Sequence, residues 1–196
     1  ELRLPTDWNG RFLFQGGGGL DGVINPAIGA LANSGQSPAL TRGFAVVSTD
    51  AGHSGSMVDA SFGSDQQARV DYAYAAIGKV TPAAKALVER FYGRPPAHSY
   101  FAGCSNGGRQ ALTAAERFPL LFDGIVAGDP TLRFSRVAID EAWNLNVLGK
   151  VAPKDAAGHP LIARVFSPDD LALVKTAVLK RCDAPDGLAD GQIQDW

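Results

Sequence analysis

The sequence predicts an α/β protein built on a parallel sheet, followed from about residue 131 by a helical segment. Three observations predict it. Short, almost wholly apolar runs at residues 11–15, 43–50, 99–102 and 122–127 read as buried strands. Ala-rich stretches with apolar residues at helical spacing lie between the later ones, and alternation of strand and helix is the rhythm of a parallel sheet. After Asp129-Pro130 that rhythm stops, and residues 131–196 show helical pieces but no further buried strand.

Taken in order, the run Arg11-Phe12-Leu13-Phe14-Gln15 is a strand that empties into Gly16-Gly17-Gly18-Gly19. Residues 43–50 are β-branched and opened by Gly43, as a strand covered on both faces would be. From Gln66 to about Tyr92, Val70, Tyr74 and Ile77 and then Ala84, Leu87 and Phe91 recur at helical spacing. Gly78 and Pro82 predict a break there, giving two helices or one kinked helix. A strand at 99–102 precedes a helix at 106–118, which opens on Gly107-Gly108 and stops before Pro119. Helices follow at 134–147 and 169–180, the second with Ser167 as N-cap and Pro168 at its first position. The expected division is a core at 1–130 and a cap at 131–196.

Length and composition narrow the classes. The 196 residues suffice for one sizeable core and part of a second. With 45% hydrophobic and 19% charged residues the chain is not a disordered or acidic tail. No run approaches the ~20 apolar residues of a membrane helix, so a membrane partner is not expected. A net charge of −2 argues against a nucleic-acid-binding face. The opening Glu1-Leu2-Arg3-Leu4-Pro5 carries no basic and apolar regions of a signal peptide. Cys104 and Cys182 can form at most one disulfide within the chain, which does not decide its redox compartment.

The strongest chemical signal is Gly103-Cys104-Ser105-Asn106-Gly107, a G-x-S-x-G match between a predicted strand and a predicted helix. That is the setting of a nucleophile elbow, with the helix N-terminus favouring negative charge beside Ser105. A serine in an ordinary Gly-rich β–α turn is the alternative. An elbow requires an oxyanion hole, for which the expected donors are the N–H of Asn106 and that of Gly17 or Gly18. A flexible turn or a phosphate cradle is the competing reading of the four glycines, but the Lys-Ser/Thr of a P-loop is missing. Of three histidines, only His159 follows Ser105, and Gly158-His159-Pro160 reads as a surface loop. His53 reads as structural or substrate-lining, and His98 lies at the far end of the strand that leads to Ser105. None qualifies as the base of a Ser–Asp–His order.

A second signal is Cys182-Asp183-Ala184-Pro185-Asp186-Gly187-Leu188-Ala189-Asp190-Gly191-Gln192. Three carboxylates so close repel one another unless a cation sits between them, and interleaved glycines suit a hard ion with six to eight oxygens. The register is not that of an EF-hand. A structural calcium loop is expected, with a solvated acidic turn as the alternative.

These pieces, together with Ser48-Thr49-Asp50-Ala51-Gly52-His53 and Phe122-Asp123-Gly124-Ile125-Val126-Ala127-Gly128, run in an order that resembles the tannase and feruloyl esterase family of α/β-hydrolases, including its mono(hydroxyethyl) terephthalate hydrolase branch. Cys104, directly before the serine, is part of that likeness. The resemblance implies a partial α/β-hydrolase sheet with the start of a helical lid, in a secreted or periplasmic serine esterase. It implies an aromatic acyl ester substrate of gallate or hydroxycinnamate type. In the lid it implies calcium held by side chains of Asp183, Asp186 and Asp190 and by carbonyls of Leu188 and Gln192. It further implies that the triad Asp and His come after the lid, that Cys104 and Cys182 each pair with cysteines outside this sequence, and that the sequence begins inside the hydrolase domain and stops inside the lid. A non-catalytic calcium-binding module on the same fold is the alternative function.

Overall fold

The structure is a computed structural model that describes residues 1–30 and 37–193; the side chain of Asp186 also lies outside the described residues. The chain divides into two compact units, Glu1–Leu132 and Arg133–Trp196.

In the first unit five strands form one sheet in the order β1-β3-β2-β4-β5, with β1 at Leu2–Arg3, β2 at Arg11–Gln15, β3 at Ala45–Val47, β4 at His98–Cys104 and β5 at Gly124–Gly128. The four longer strands are mutually parallel, as the apolar runs predict, but β1 pairs antiparallel with β3 through Leu2–Val47 and Arg3–Val46. The sheet is therefore mixed. A two-residue strand is too short to show any periodicity, so β1 left no trace in the sequence pattern. The last strand also starts later than expected, because Asp123 serves as its anchor: its N–H donates to Ser99 O (2.7 Å) and its carboxylate accepts from Ser99 N (2.7 Å).

Alternation along the strands divides the apolar residues between two faces. On one, Phe12, Phe14, Ala45, Val47 and Phe101 pack against Ile77, Ala84, Val88, Ala111 and Ala114 of the helices. Phe14 and Phe101, paired across β2 and β4, stack with ring centroids 4.9 Å apart, and Phe122 meets Phe101 edge-on at 5.5 Å. On the other face Leu13, Val46 and Ala102 meet Ala27, Ala39, Phe44 and Tyr100, and an open cavity of about 430 Å³ lies there.

The helical stretch after β3 begins at Asp65, whose side chain caps it by accepting the N–H of Ala68 (2.7 Å). It runs as α1 (Gln66–Val70), a π-helical segment (Asp71–Ala75) and α2 (Ala76–Tyr92). The irregularity thus falls before Gly78 and Pro82, and α2 continues through both. Gly78 serves packing instead: a Cβ there would lie 2.7 Å from the ring of Phe118. Helix α3 (Asn106–Arg117) follows β4 directly.

The second unit contains α4 (Phe134–Val151) and α5 (Pro168–Cys182), each a little longer than expected. Ser167 caps α5 in a reciprocal box with Asp170, and Pro168 occupies the first turn. Among the described residues no helix is long and apolar enough to cross a membrane.

Candidate active site

At the end of β4 the chain reverses into α3 within one residue. Ser105 takes φ 59° and ψ −120°, a conformation that costs a non-glycine residue on the order of 1–3 kcal/mol. Its N–H donates to Gly128 O (3.0 Å), and its carbonyl accepts from Arg109 N (3.0 Å), so the surroundings hold it there. The flanking glycines are required by contact: a Cβ on Gly103 would lie 2.5 Å from the Gly107 carbonyl, and one on Gly107 would lie 2.7 Å from Gly17 O. This is the geometry of a nucleophile elbow.

The same contacts bring the Gly-rich loop beside the serine turn. Gly16 donates to Ala102 O (2.8 Å), which extends β2 against β4, and Gly17 lies against Gly107. The N–H of Asn106 opens α3 and has no intrahelical partner, as for the first turn of any helix. Of the two expected loop donors, Gly17 donates its N–H to Gln110 Oε1 (2.9 Å) and is engaged within the protein. Gly18 N–H makes no such bond among the described residues.

Behind this loop lies a buried network that the sequence reading passed over. Asp21, only 2% exposed, accepts from Asn106 Nδ2 through Oδ1 and from Gln110 Nε2 through Oδ2 (2.8 Å). Asn106 Oδ1 in turn accepts from Arg109 Nε (2.8 Å) and Tyr72 OH (3.1 Å), and the Arg109 guanidinium lies 4.3 Å from the Tyr72 ring centre. Burial pushes the Asp21 carboxyl up from 3.8 to about 6, against the hydrogen bond from Gln110, the charges of Arg109 and His53 and the bond from Asn106. Burial also raises the Tyr72 phenol. The available signal was an acidic residue two positions after a glycine run and directly before another glycine, Gly19-Leu20-Asp21-Gly22. Its burial is tertiary, so spacing alone could not reveal it.

Among the described residues no hydrogen bond joins a histidine to Ser105. His53 Nε2 bonds Leu20 O (3.0 Å), its ring stacks on Phe62 at 3.8 Å, and its buried Nδ1 has no partner among the described residues. It therefore braces the Gly-rich loop. His98 starts β4, six residues of extended chain from its end at Cys104, roughly 20 Å away. His159 pairs with Asp155 (3.3 Å) on an exposed turn of the second unit.

In that second unit, Asp183 is the C-cap of α5 and a 3₁₀ turn, Ala184–Asp186, leads to Gly187 at φ 104°. Asp183 Oδ1 accepts from Asp190 N (3.2 Å) and Gly191 N (3.0 Å), Asp190 Oδ1 accepts from Gln192 N (3.0 Å), and Leu188 O accepts from Asp190 N (3.0 Å). These bonds draw both ends of the expected calcium loop together. Among the described residues, though, no three acidic, histidine or cysteine side chains converge on one centre, and the Asp186 side chain lies outside them. Cys104, the last residue of β4, and Cys182, the last of α5, are both free and half-buried.

A mixed sheet carrying a strand–serine–helix turn beside a Gly-rich loop defines an α/β-hydrolase, and the solved structures that resemble it are esterases of that class. Feruloyl esterase B from Aspergillus oryzae superposes with a TM-score of 0.78 at 33% identity, over 98% of this chain and 35% of its own. The family model for tannase and feruloyl esterase matches residues 1–196, and the chain belongs to that family. It is 44% identical to mono(2-hydroxyethyl) terephthalate hydrolase from Piscinibacter sakaiensis and 35% identical to a probable feruloyl esterase B-2 from Aspergillus flavus, covering all of this chain in both cases. The chain spans about a third, 34%, of the length of these curated relatives.

Proposed function

We propose that this chain supplies the nucleophile and the oxyanion hole of a serine carboxylic ester hydrolase acting on aromatic acyl esters. The observation that carries the reading is Ser105 at positive φ, with Gly17 packed on Gly107, the second residue of α3. Ser105 Oγ attacks the ester carbonyl and passes its proton to a base. The carbonyl oxygen takes up negative charge within reach of the Asn106 and Gly18 N–H groups; the alcohol then leaves and water hydrolyses the acyl-enzyme. Since no histidine here bonds Ser105, an Asp–His pair outside residues 1–196 is assigned the activation of the serine. The aromatic acyl class is supported by the relatives' names, which specify feruloyl and terephthalate esters.

The loop from Asp183 to Gln192 is assigned a structural calcium, held by the carboxylates of Asp183, Asp186 and Asp190 and the carbonyls of Leu188 and Gln192. It lies far in sequence from Ser105 and has no base nearby, so its role is to fix the loop. A secreted or periplasmic location belongs to the same reading.

The test is reaction of the intact protein with a fluorophosphonate probe, in which an Oγ–P bond forms and fluoride leaves. Ser105 is the expected labelled residue. Ser105→Ala is expected to abolish labelling and to lower hydrolysis of methyl ferulate and ethyl gallate by several orders of magnitude with the fold intact. Labelling of the Ala variant would move the nucleophile to another residue, and an unreactive Ser105 in a protein that still binds calcium would favour the non-catalytic reading.

A further inference from the structure

We propose that Asp21 is the positioning residue of the oxyanion hole: its carboxylate, which can only accept hydrogen bonds, fixes which way the Asn106 and Gln110 amides point and thereby sets the Gly-rich loop. The inference rests on the hole assigned above to Asn106 and Gly18.

An amide side chain has a donor end and an acceptor end, and nothing intrinsic decides how it is turned. Here an ionised carboxylate decides. Because Asp21 offers only acceptors, Gln110 must turn its Nε2 toward Oδ2 (2.8 Å), which leaves Oε1 facing the N–H of Gly17 (2.9 Å). Asn106 must likewise turn Nδ2 toward Asp21, leaving Oδ1 to accept from Arg109 Nε (2.8 Å), which can only donate, and from Tyr72 OH (3.1 Å). Every bond in the set has the right polarity, and reversing either amide would set donor against donor.

The consequence falls on the loop. With Gly17 N–H turned inward to Gln110, and Asp21 N–H closing the turn on Gly18 O (2.9 Å), the peptide between Gly17 and Gly18 is held at both ends. A Cβ on Gly17 would lie 2.4 Å from Asp21 Oδ2, so the carboxylate also forms the wall on which the loop rests. Holding a carboxylate with a pKa raised by burial is costly to the fold, and an apolar side chain would fill the space without that cost. What it supplies instead is direction, for one donor of the hole through Gln110 and for the first residue of α3 through Asn106.

The polarity argument makes an unusual rescue possible. Asp21→Asn places an amide against two amides and leaves at least one donor unpaired. Gln110→Glu places a carboxylate against a carboxylate. In the double variant the carboxylate introduced at position 110 accepts from Gly17 N–H and from the amide introduced at position 21. The oxygen of that amide still accepts from Asn106, so every bond is retained with one of them reversed.

The readout is the rate at which the fluorophosphonate labels Ser105 in the intact protein, which is independent of ester identity, together with kcat and KM for methyl ferulate. Each single variant is expected to label about 100-fold more slowly, the scale of one lost oxyanion donor, with kcat falling and KM little changed. The double variant is expected to recover most of that rate. A merely structural Asp21 would show instead as a lowered melting midpoint in each single variant, with kcat and the labelling rate of the folded protein unchanged. Asp21→Asn labelling at the unmutated rate overturns the proposal, as does a folded double variant no faster than the slower single. If Asp21→Asn does not fold, the double variant decides alone. Failure of the unmutated protein to label at Ser105 would instead reject the esterase reading itself.

Discussion

Replacing Gly107 with alanine tests the contact between the serine turn and the Gly-rich loop. The new Cβ would lie 2.7 Å from Gly17 O and 3.2 Å from Gly16 C, where ordinary contact starts at 3.4 Å. The loop must therefore retreat by about 0.7 Å, because close-packed interiors do not absorb such overlap. It cannot retreat freely, since Gly16 N–H holds Ala102 O (2.8 Å) and Gly17 N–H holds Gln110 Oε1 (2.9 Å). Overpacking costs about 1–3 kcal/mol, and alanine in place of glycine in a helix returns up to about 1 kcal/mol. The net loss of stability is then small, a few degrees in Tm for a chain of this size. A displacement approaching 1 Å at a reacting group costs on the order of 100-fold in rate, near 2.7 kcal/mol of barrier. Gly107→Ala is thus expected to fold and to lose kcat far more than Tm, measured by ester hydrolysis beside a thermal melt. Gly63→Ala, which places its Cβ in open space, is the matched control and is expected to change neither. An unchanged kcat in Gly107→Ala would mean that the loop and the turn are not coupled, and the oxyanion assignment would fall.

Other outcomes follow from the same structure. Phe101, fully buried and stacked on Phe14, is expected to cost about 3–5 kcal/mol in urea unfolding when changed to alanine, and a loss under about 1 kcal/mol would deny that this cluster is the core. Because the Asp21 carboxyl is raised to about 6, the native state holds that proton more tightly than the unfolded chain. Its contribution is fully present below pH 3.8 and is lost as pH rises through 6, an amount of about 3 kcal/mol. Asp21→Asn is expected to lack this downward slope, and parallel stability curves for the two proteins would contradict the burial argument. Calcium is expected to raise the melting midpoint relative to chelator, and Asp186→Ala to remove the difference. Equal midpoints in the unmutated protein would leave the loop a solvated turn, and lost turnover without a shifted midpoint would make the ion catalytic.

What was legible in the sequence is what local chemistry determines. Residues 11–15 and 99–102 carry apolar side chains on both faces, Phe12, Phe14 and Phe101 buried against the helices and Leu13 and Ala102 buried on the other side. The G-x-S-x-G turn was legible because its two glycines stand where a Cβ would lie 2.5 and 2.7 Å from backbone atoms. Ser167 and Pro168 marked the start of α5 by capping chemistry alone. By contrast, β1 exists only because β3 offers it an edge, and Asp21 is buried only because a glycine loop and a helix 85 residues away close over it. The Gln110 side chain that engages Gly17 likewise comes from 93 residues away. Such pairings are properties of the closed fold.

The π-helical segment at Asp71–Ala75 works as an indexing joint. Ala76 N–H reaches back five residues to Asp71 O, so the turn holds one residue more than an α-helix would. One residue is about 100° of rotation and 1.5 Å of advance. The stretch before the joint is therefore set out of phase with the stretch after it. Ile77, Ala84 and Val88 of the later stretch are buried in the core cluster under the sheet, while Tyr72, in the joint itself, is turned to the Asn106 side chain. Deleting a single residue within 71–75 would reclose an ordinary helix and swing everything upstream by that angle, leaving the core contacts downstream untouched. Substitutions on the two sides of the joint are accordingly answerable to different neighbours, and a length change there would retune the serine's surroundings without repacking the sheet.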